Sequence, residues 1–212
     1  YYDDGTSQQW VESSPQKDGA NGNRNVLING NLQVNQRNAD IATVATGDYG
    51  QDRWKKTAGG MTQIVENGNY IPGVPYTLSG VGIATPVTAN SPASGHWDIS
   101  TTHGDVSVTA RFIQMEKGLV ATDYELRSIG TELALCQRYF QLVQKRSSNT
   151  AFAFGSQTSR GASRGTYYTG VEMRVVPTVV NGTGLTLSVG GQSFTNATFT
   201  INTKTGTHLS WS

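Results

Sequence analysis

The sequence contains a single cysteine, Cys136, so the chain can form neither an internal disulfide nor a metal site built from several thiolates. Charged residues are scarce as well, at 15% of the chain, and the net charge of +1 provides no clustered basic surface of the kind that binds nucleic acid. No stretch reaches the ~18 consecutive apolar residues of a transmembrane helix. We therefore expect neither a nucleic-acid partner nor membrane insertion.

Hydrophobic residues make up only 36% of the 212 residues, and Gly, Thr, Ser, Asn and Gln take their place. A disordered chain of such low hydrophobicity usually carries a high net charge or a low-complexity sequence. Here the net charge is near zero, and runs rich in β-branched and aromatic residues recur along the chain. The composition therefore favours a β protein with many turns and polar faces, long enough for one large or two small domains.

Short runs in which apolar and polar residues alternate indicate strands, and the Gly, Asn and Pro residues between them indicate turns. One run is interrupted by Gly80, Gly82 and Pro86, which is typical of an edge or bulged strand. The close spacing of runs and turns is typical of a β-sandwich or a jelly roll. The predicted strands of this region lie within residues 25–37, 61–67, 77–87 and 105–115.

One segment, residues 131–144, has the pattern of a helix rather than of a strand. Thr131 is a suitable N-cap, because its hydroxyl can accept a hydrogen bond from a backbone N–H of the first turn. Apolar side chains, among them Leu135 and Phe140, recur on one wide face. A helix this apolar must pack against a sheet or against other chains, and Cys136 within it is predicted to be a small buried hydrophobe rather than a nucleophile.

The two ends of the chain also carry β signals. Asp4-Gly5 predicts a tight hairpin turn, and Gly190-Gly191 predicts another near the C-terminus. We therefore predict an all-β fold in four parts. They are an N-terminal β-hairpin and linker at 1–24, a jelly-roll-like β-sandwich at 25–130, a connecting helix at 131–144 and a smaller C-terminal β module at 145–212.

The sequence offers no recognisable catalytic set. Its three histidines, His96, His103 and His208, form no zinc-protease motif, and a nucleophile-elbow motif is also missing. Asp98 and Asp105 lie near the first two histidines, as in a metal site or an acid–base pair, but nothing fixes the spacing and a polar loop is the simpler interpretation. We therefore expect no enzymatic activity, no metal site and no cofactor.

Trp97 has the surroundings of a carbohydrate-binding ring. Sugars stack their C–H faces on aromatic rings, and their hydroxyls bind to amides, carboxylates and Arg. Trp97 lies between His96 and Asp98 in residues 85–104, a stretch of weak periodicity that predicts a surface loop. A large ring is costly to expose in such a loop unless it is used. The alternative is that the ring closes the end of the domain or a subunit interface.

Tyr167 and Tyr168 form a second candidate site, with Arg164 shortly before them in a Gly- and Ser-rich stretch. Adjacent residues of a strand point to opposite faces, so one of the two rings must face outward. The alternative is again that packing or a subunit interface covers it. The predicted carbohydrate-binding residues are thus Trp97, His96, Asp98, Tyr167, Tyr168 and Arg164.

Five separated blocks, in the same order, resemble the C-terminal region of bacteriophage tail-fibre proteins. They are YYDDGTSQQWV at 1–11, NVLINGNLQVNQR at 25–37, QDRW at 51–54, a QMEKG strand with an ELALCQRYF helix at 114–140, and VEMRVVPT at 171–178. The resemblance implies that residues 52–54 are a strand with Trp54 anchored in the core. The chain departs from the family in a shortened region between Trp54 and Val106.

The resemblance implies a virion protein of the viral tail fibre, a receptor-binding protein that attaches the virion to a host cell-surface glycan. It also implies upstream fibre or baseplate proteins as partners and a homotrimer, because tail fibres are usually threefold. Two features agree with a trimer: the aromatic hairpin at 1–12 lacks a partner in its own segment, and the helix is too apolar to face water. Several weak sites engaging one surface gain affinity by roughly 10² or more. The alternatives are a structural tail or baseplate component without its own receptor site and a glycan-cleaving enzyme.

Overall fold

The structure is a computed structural model that describes residues 24–142 and 170–176 with their side chains and six further strands by their backbone. The chain divides into two compact units, Tyr1–Ile129 and Gly130–Ser212. The predicted N-terminal hairpin at 1–12 and all but the last residue of the linker lie outside the described residues.

The first unit is built from short antiparallel strands. β1 pairs with β2, β3 pairs with β6, and β5, β4 and β7 form a sheet in that order. The mostly-β prediction is confirmed, whereas the jelly-roll order of strands stays a prediction. The elements are β1 Lys55–Lys56, β2 Met61–Thr62, β3 Ile64–Val65, β4 Pro75–Val81, β5 Val87–Asn90, β6 Trp97–Asp98, α1 Ser100–His103 and β7 Arg111–Lys117.

The strands predicted within residues 25–37 are absent. In their place, a side-chain amide satisfies backbone groups of the segment that strand pairing would otherwise satisfy. Gln63 holds both backbone groups of Ile28: its Oε1 accepts from the Ile28 N–H at 2.8 Å, and its Nε2 donates to the Ile28 carbonyl at 2.8 Å. These are the two bonds that a neighbouring strand would supply. Because Gln63 is buried, they also satisfy groups that water cannot reach.

Two buried asparagines act in the same way within the segment. Oδ1 of Asn25 accepts from the N–H groups of Leu27 and Met115, both at 3.0 Å. Asn29 accepts from the Val34 N–H at 2.9 Å and donates to the Val34 carbonyl at 2.8 Å. Asn29 has φ +57°, a left-handed conformation that Asn tolerates better than most residues. The polar composition of this region therefore serves the interior as well as the surface.

Residues 52–54 form the end of a turn rather than the strand implied by the resemblance, and β1 begins only at Lys55. Arg53 has φ +76°, far from the φ of regular β-strands. Asp52 is buried and pairs with Arg37 at 3.0 Å; burial nevertheless raises the pKa of Asp52, against the lowering effect of its hydrogen-bond donors. Trp54 is fully buried, which confirms its predicted place in the core.

The core of the first unit is a single cluster of apolar side chains. Trp54 is tied into it by a hydrogen bond from its Nε1 to the Asn29 carbonyl at 2.9 Å, so the polar tip of the ring is satisfied. The buried members are Leu27, Leu32, Ile41, Trp54, Met61, Val65, Tyr70, Tyr76, Leu78, Trp97, Ile99, Val106, Ala110, Ile113 and Met115.

The central sheet decides between the two predicted alternatives, an edge strand and a bulged strand. β4 lies between β5 and β7, so it is the middle strand rather than an edge strand. The predicted bulge is confirmed, since the pairing of β4 with β7 shifts register between Ser79 and Val81. Residues 85–104, predicted to be a surface loop, instead contain β5, β6 and the short helix α1.

The second unit contains a shorter helix than the sequence predicts. The helix α2 covers Ile129–Gln137, so it begins two residues before the predicted 131–144 and ends seven residues earlier. After its last turn the Arg138 carbonyl accepts from the Arg174 N–H at 2.9 Å, a bond that satisfies one of the carbonyls left open at a helix end. Cys136 is buried, as predicted, and is not part of a disulfide.

The backbone strands of the second unit form two antiparallel sheets, one in the order β12, β13, β9, β8 and the other of β10 with β11. β10 and β11 flank Gly190-Gly191, so the predicted hairpin is confirmed. Neither of the two helices in the described residues has the length and apolarity that a bilayer-spanning helix needs. The strands are β8 Phe154–Ser159, β9 Ala162–Thr166, β10 Thr186–Val189, β11 Gln192–Thr195, β12 Phe199–Ile201 and β13 Leu209–Trp211.

Candidate functional site

Trp97 lies inside the first unit, only 1% exposed, so the prediction that its ring stacks on a sugar is wrong. Its strand β6 pairs with β3 and places the ring among the core aromatics. The ring meets Tyr70 and Tyr76 edge to face, with centroids 5.3 and 5.2 Å apart, and its Nε1 donates to the Thr102 hydroxyl at 2.9 Å. The ring is therefore part of the core of the first unit.

His96 and Asp98 flank Trp97 but do not build a site around it. His96 is exposed, and its Nδ1 accepts from the Asn67 N–H at 3.0 Å. Oδ1 of Asp98 accepts from the Ser100 N–H at 3.1 Å and from the Ser100 hydroxyl at 2.8 Å, which fixes the start of α1. The structure therefore gives both residues local structural contacts.

His103 packs against the same core ring. Its centroid lies 5.6 Å from that of Trp97, its Nε2 is 3.0 Å from the Tyr76 carbonyl and its Nδ1 is 2.8 Å from the Thr102 hydroxyl. Burial lowers the pKa of His103, and the Tyr76 carbonyl partly offsets this. A carbonyl can only accept, so Nε2 carries the proton of the neutral ring. Within the described residues no group of three or more His, Cys, Asp or Glu is arranged to hold a metal ion.

The second predicted site falls largely beyond what the structure describes. Tyr167 and Tyr168 lie outside the described residues. Arg164 lies in β9, the strand between β8 and β13, opposite Ser156 on one side and Ser210 on the other. These three residues stay predictions.

A different feature of the first unit has the form of a binding site: an open pocket of about 210 Å³ on the sheet of β4 and β7. Two aromatic rings form its walls, those of Phe112 and Tyr124, with centroids 5.4 Å apart and planes at 74°. The ring of Phe112 is 42% exposed, far more than the core aromatics. The pocket is lined by Ser79, Gly80, Val81, Phe112, Gln114, Ala121, Thr122 and Tyr124.

The β4–β7 bulge sets the position of the Phe112 ring. Ser79 pairs with Gln114 and Val81 pairs with Arg111, so two residues of β7 stand opposite the single residue Gly80. Phe112 is the extra residue, with φ +52°, a conformation that Gly usually supplies at such bulges. The bulge takes this side chain out of the alternation of its strand. Backbone strain of this kind persists where the surroundings impose it, and it is frequent at functional sites.

The opposite wall belongs to the segment that follows β7, and a buried carboxylate holds that segment in place. Glu116 accepts from the Thr122 N–H at 2.7 Å, from the Thr122 hydroxyl at 2.8 Å and from Gln114 Nε2 at 2.8 Å. Oε1 of Gln114 in turn accepts from the Glu125 N–H at 2.7 Å. Because bonds are made on both sides of Tyr124, its ring is held against the sheet.

The sequence contained one signal for this pocket, the glycines at positions 80 and 82 that predict a bulge. It did not reveal which strand carries the extra residue. In the run 105–115 Phe112 falls in phase with Val106 and Ala110, both buried, and strict alternation assigns it to their face.

The lining residues suit non-covalent binding better than chemistry. Gln114 and Thr122 donate hydrogen bonds to Glu116. The lining contains no Asp, Glu, Lys, Arg, His or Cys that could serve as nucleophile or general acid. The pocket can therefore offer ring faces and a few polar atoms to a small ligand. Comparison of the chain with protein-family models, with curated proteins and with solved structures found no significant match.

Proposed function

We propose that this chain is a receptor-binding part of a bacteriophage tail fibre, which attaches the virion to host cell-surface polysaccharide without cleaving it. The five ordered sequence blocks that resemble tail-fibre proteins support the virion location and the upstream fibre or baseplate partners. The pocket between Phe112 and Tyr124 supports the carbohydrate ligand.

The observation that carries the function is the exposed ring of Phe112 on a left-handed backbone. A Phe in that conformation costs about 1–2 kcal/mol relative to Gly, and its exposure forgoes part of the hydrophobic gain. A ring kept at such a cost, beside a second ring and close to polar atoms, matches what the C–H face and the hydroxyls of a sugar require.

Affinity in this function comes from repetition of the site. An open pocket of about 210 Å³ can hold one sugar unit only weakly. A homotrimer would present three such pockets, and engagement of several on one surface raises apparent affinity by roughly 10² or more. The homotrimer and the jelly-roll arrangement of the first unit both belong to this proposal.

The test is binding of the full chain to whole bacterial cells and to purified surface polysaccharides, with competition by the free polysaccharide. Phe112→Gly removes the ring at a backbone position that Gly fits, and it should weaken binding roughly tenfold per site, as expected for loss of a buried aromatic contact. Ile71→Ala is the matched control, because Ile71 is a 50% exposed apolar residue outside the pocket. If both variants bind as strongly as the parent chain, the pocket does not contribute to polysaccharide binding.

A structural tail or baseplate component is the second candidate, and one group of side chains favours it. Leu119, Val120 and Leu126 are 72%, 74% and 75% exposed in the segment after β7. Apolar side chains close together in the sequence at that exposure are typical of protein interfaces. A chain that assembles with virion proteins but binds no cell and no polysaccharide would support this candidate. Release of new reducing ends from the polysaccharide would instead indicate a glycan-cleaving enzyme.

A further inference from the structure

The walls of the pocket are apolar at the points where a ligand would enter. Val81 is 63% exposed at the rim, and Phe112 is 42% exposed beside it. Ala121 adds a methyl group from the opposite side. These groups gain from a ligand only if it brings apolar surface to them, because burial of apolar area is what stabilises such contacts.

Two polar side chains of the lining, those of Gln114 and Thr122, already bind other parts of the protein. Gln114 is 1% exposed, its Nε2 donates to Glu116 at 2.8 Å, and its Oε1 accepts from the Glu125 N–H at 2.7 Å. The Thr122 hydroxyl donates to Glu116 at 2.8 Å and accepts from Arg24 Nη1 at 2.8 Å. A ligand that needed several new hydrogen bonds at the floor would have to break this network.

The lining residues also provide no charged partner for an ionised group, since Arg24, which bonds the Thr122 hydroxyl, is not part of the lining. Its lining contains no charged side chain, and the nearby carboxylate of Glu116 is covered by bonds from Thr122 and Gln114. An ionised substituent would lose its water without gaining an opposite charge, which disfavours its entry. Sugar acids are therefore poor ligands for this site.

Size adds a further limit. A volume of about 210 Å³ lies below the roughly 300–1,000 Å³ of pockets that enclose drug-sized ligands. Given the function proposed above, on which this assignment rests, we infer that the pocket selects an uncharged sugar unit by a methyl-bearing substituent. Such a substituent is the methyl of a 6-deoxy sugar or the acetyl methyl of an acetamido sugar. The methyl group lies between Phe112, Tyr124 and Val81, while the sugar hydroxyls remain near the rim and in water.

Matched sugar pairs test the inference with the full chain. L-rhamnose is compared with L-mannose, L-fucose with L-galactose, and N-acetylglucosamine with glucose, and glucuronate is the charged probe. Burial of one methyl group should make the first member of at least one pair bind roughly fourfold tighter. Ligand-observed saturation-transfer NMR detects such weak binding, and the strongest transfer should fall on the methyl protons.

Two variants assign the effect to the pocket. Phe112→Gly should abolish the transfer, and Ala121→Leu, which fills the space without removing a ring, should abolish the preference within the pairs. Ile71→Ala should change neither. If Phe112→Gly does not fold, Ala121→Leu alone decides the result. Equal binding within every pair, or binding of glucuronate as strong as that of the neutral sugars, would overturn the inference.

Failure of the inference and failure of the proposed function give different results. If Phe112→Gly abolishes polysaccharide binding but methyl-bearing sugars are not preferred, selection by a methyl-bearing substituent is refuted. The host-attachment function is not refuted by that result. Methyl-dependent binding of monosaccharides without binding to any cell or polysaccharide would support the pocket assignment and refute host attachment. No binding of any probe would overturn both.

Discussion

Gly80 of β4 faces the backbone of Phe112 so closely that a Cβ at position 80 would lie 3.1 Å from the Phe112 carbonyl oxygen. The same Cβ would lie 3.1 Å from the Arg111 carbonyl oxygen and from Cα of Ile113. The bulge that displays the Phe112 ring therefore leaves little room for a side chain at position 80 on the opposite strand. Gly80 determines the shape of the pocket although it offers no ligand group of its own.

Gly80→Ala should push β4 and β7 apart at the bulge. We expect a loss of about 1–3 kcal/mol in the free energy of unfolding, as for other overpacked sites, together with weaker ligand binding. The measurements are urea unfolding and polysaccharide binding. Gly68→Ala is the control, since Gly68 has φ +94° but nothing within 4 Å of a Cβ. It should lose about 1 kcal/mol through backbone strain and keep full binding. Unchanged binding in Gly80→Ala would contradict the role of the bulge.

At position 112 we expect the Gly variant to be more stable than the Ala variant, which is the reverse of the usual order in strands. Phe112→Ala loses the contact with Tyr124 and keeps the strained φ of +52°, whereas Phe112→Gly loses the same contact and relieves the strain. We expect the Gly variant to be more stable than the Ala variant by about 1 kcal/mol in urea unfolding, although Gly is ordinarily the less stable choice. The opposite order would mean that the backbone at this position is not held in the left-handed region.

The buried imidazole of His103 should make the protein less stable in mild acid. Burial lowers the pKa of His103 in the folded state below its ordinary value of 6.5, so the unfolded chain binds the proton more readily. This contribution to stability is therefore complete above about pH 7 and decreases as the pH falls below about 6.5. Urea unfolding between about pH 8 and about pH 5.5 measures it. Asp52, whose pKa is raised from 3.8, acts in the opposite sense and at lower pH.

The control for this pH dependence is His103→Gln. It should be less stable than the parent chain at pH 8, because the bonds to Tyr76 and Thr102 are disturbed, but its stability should change less across the range. A slope as steep as that of the parent chain would assign the titration to another group.

Gln63 should contribute far more to the free energy of unfolding than an exposed polar residue does. Gln63→Leu leaves the buried N–H and carbonyl of Ile28 without the partners that now bind them at 2.8 Å. Each unsatisfied group costs about 1–3 kcal/mol, so we expect a loss of about 3 kcal/mol in urea unfolding. Asn90→Leu, at an exposed position on β5, should cost under about 0.5 kcal/mol. A small effect of Gln63→Leu would show that water or a rearranged backbone replaces the amide.

The outcome at particular residues shows what the sequence can predict and what it cannot. Cys136 was assigned correctly to the interior because its neighbours in the predicted helix are apolar and burial of such residues is the default, whereas the core position of Trp54 followed from the family resemblance. The bulge was predicted because Gly80 and Gly82 interrupt an apolar run. The assignments of Cys136 and of the bulge need only local information.

The predictions are wrong where contacts that the local sequence pattern does not show determine the structure. Residues 25–37 alternate like strands, but Gln63 and the asparagines of the segment itself supply bonds that a neighbouring strand would otherwise make, and no local pattern predicts this. Trp97 sits in a polar sequence, yet its ring is enclosed by Tyr70 and Tyr76, which lie more than 20 residues away. Phe112 was missed because a bulge changes the direction of a side chain without changing the sequence pattern around it.

Asn29 is followed by Gly30, the pair that loses its side-chain amide to spontaneous hydrolysis most readily, since a glycine nitrogen can reach the neighbouring amide carbon. A larger residue cannot replace Gly30, because a Cβ there would lie 2.0 Å from the Ile113 carbonyl oxygen. Folding itself must therefore protect the pair, and the bonds that fix the Asn29 amide to Val34 and Asp52 do so. The rate of Asn29 deamidation should therefore rise with the unfolded fraction of the protein. A variant with a lower free energy of unfolding should deamidate faster.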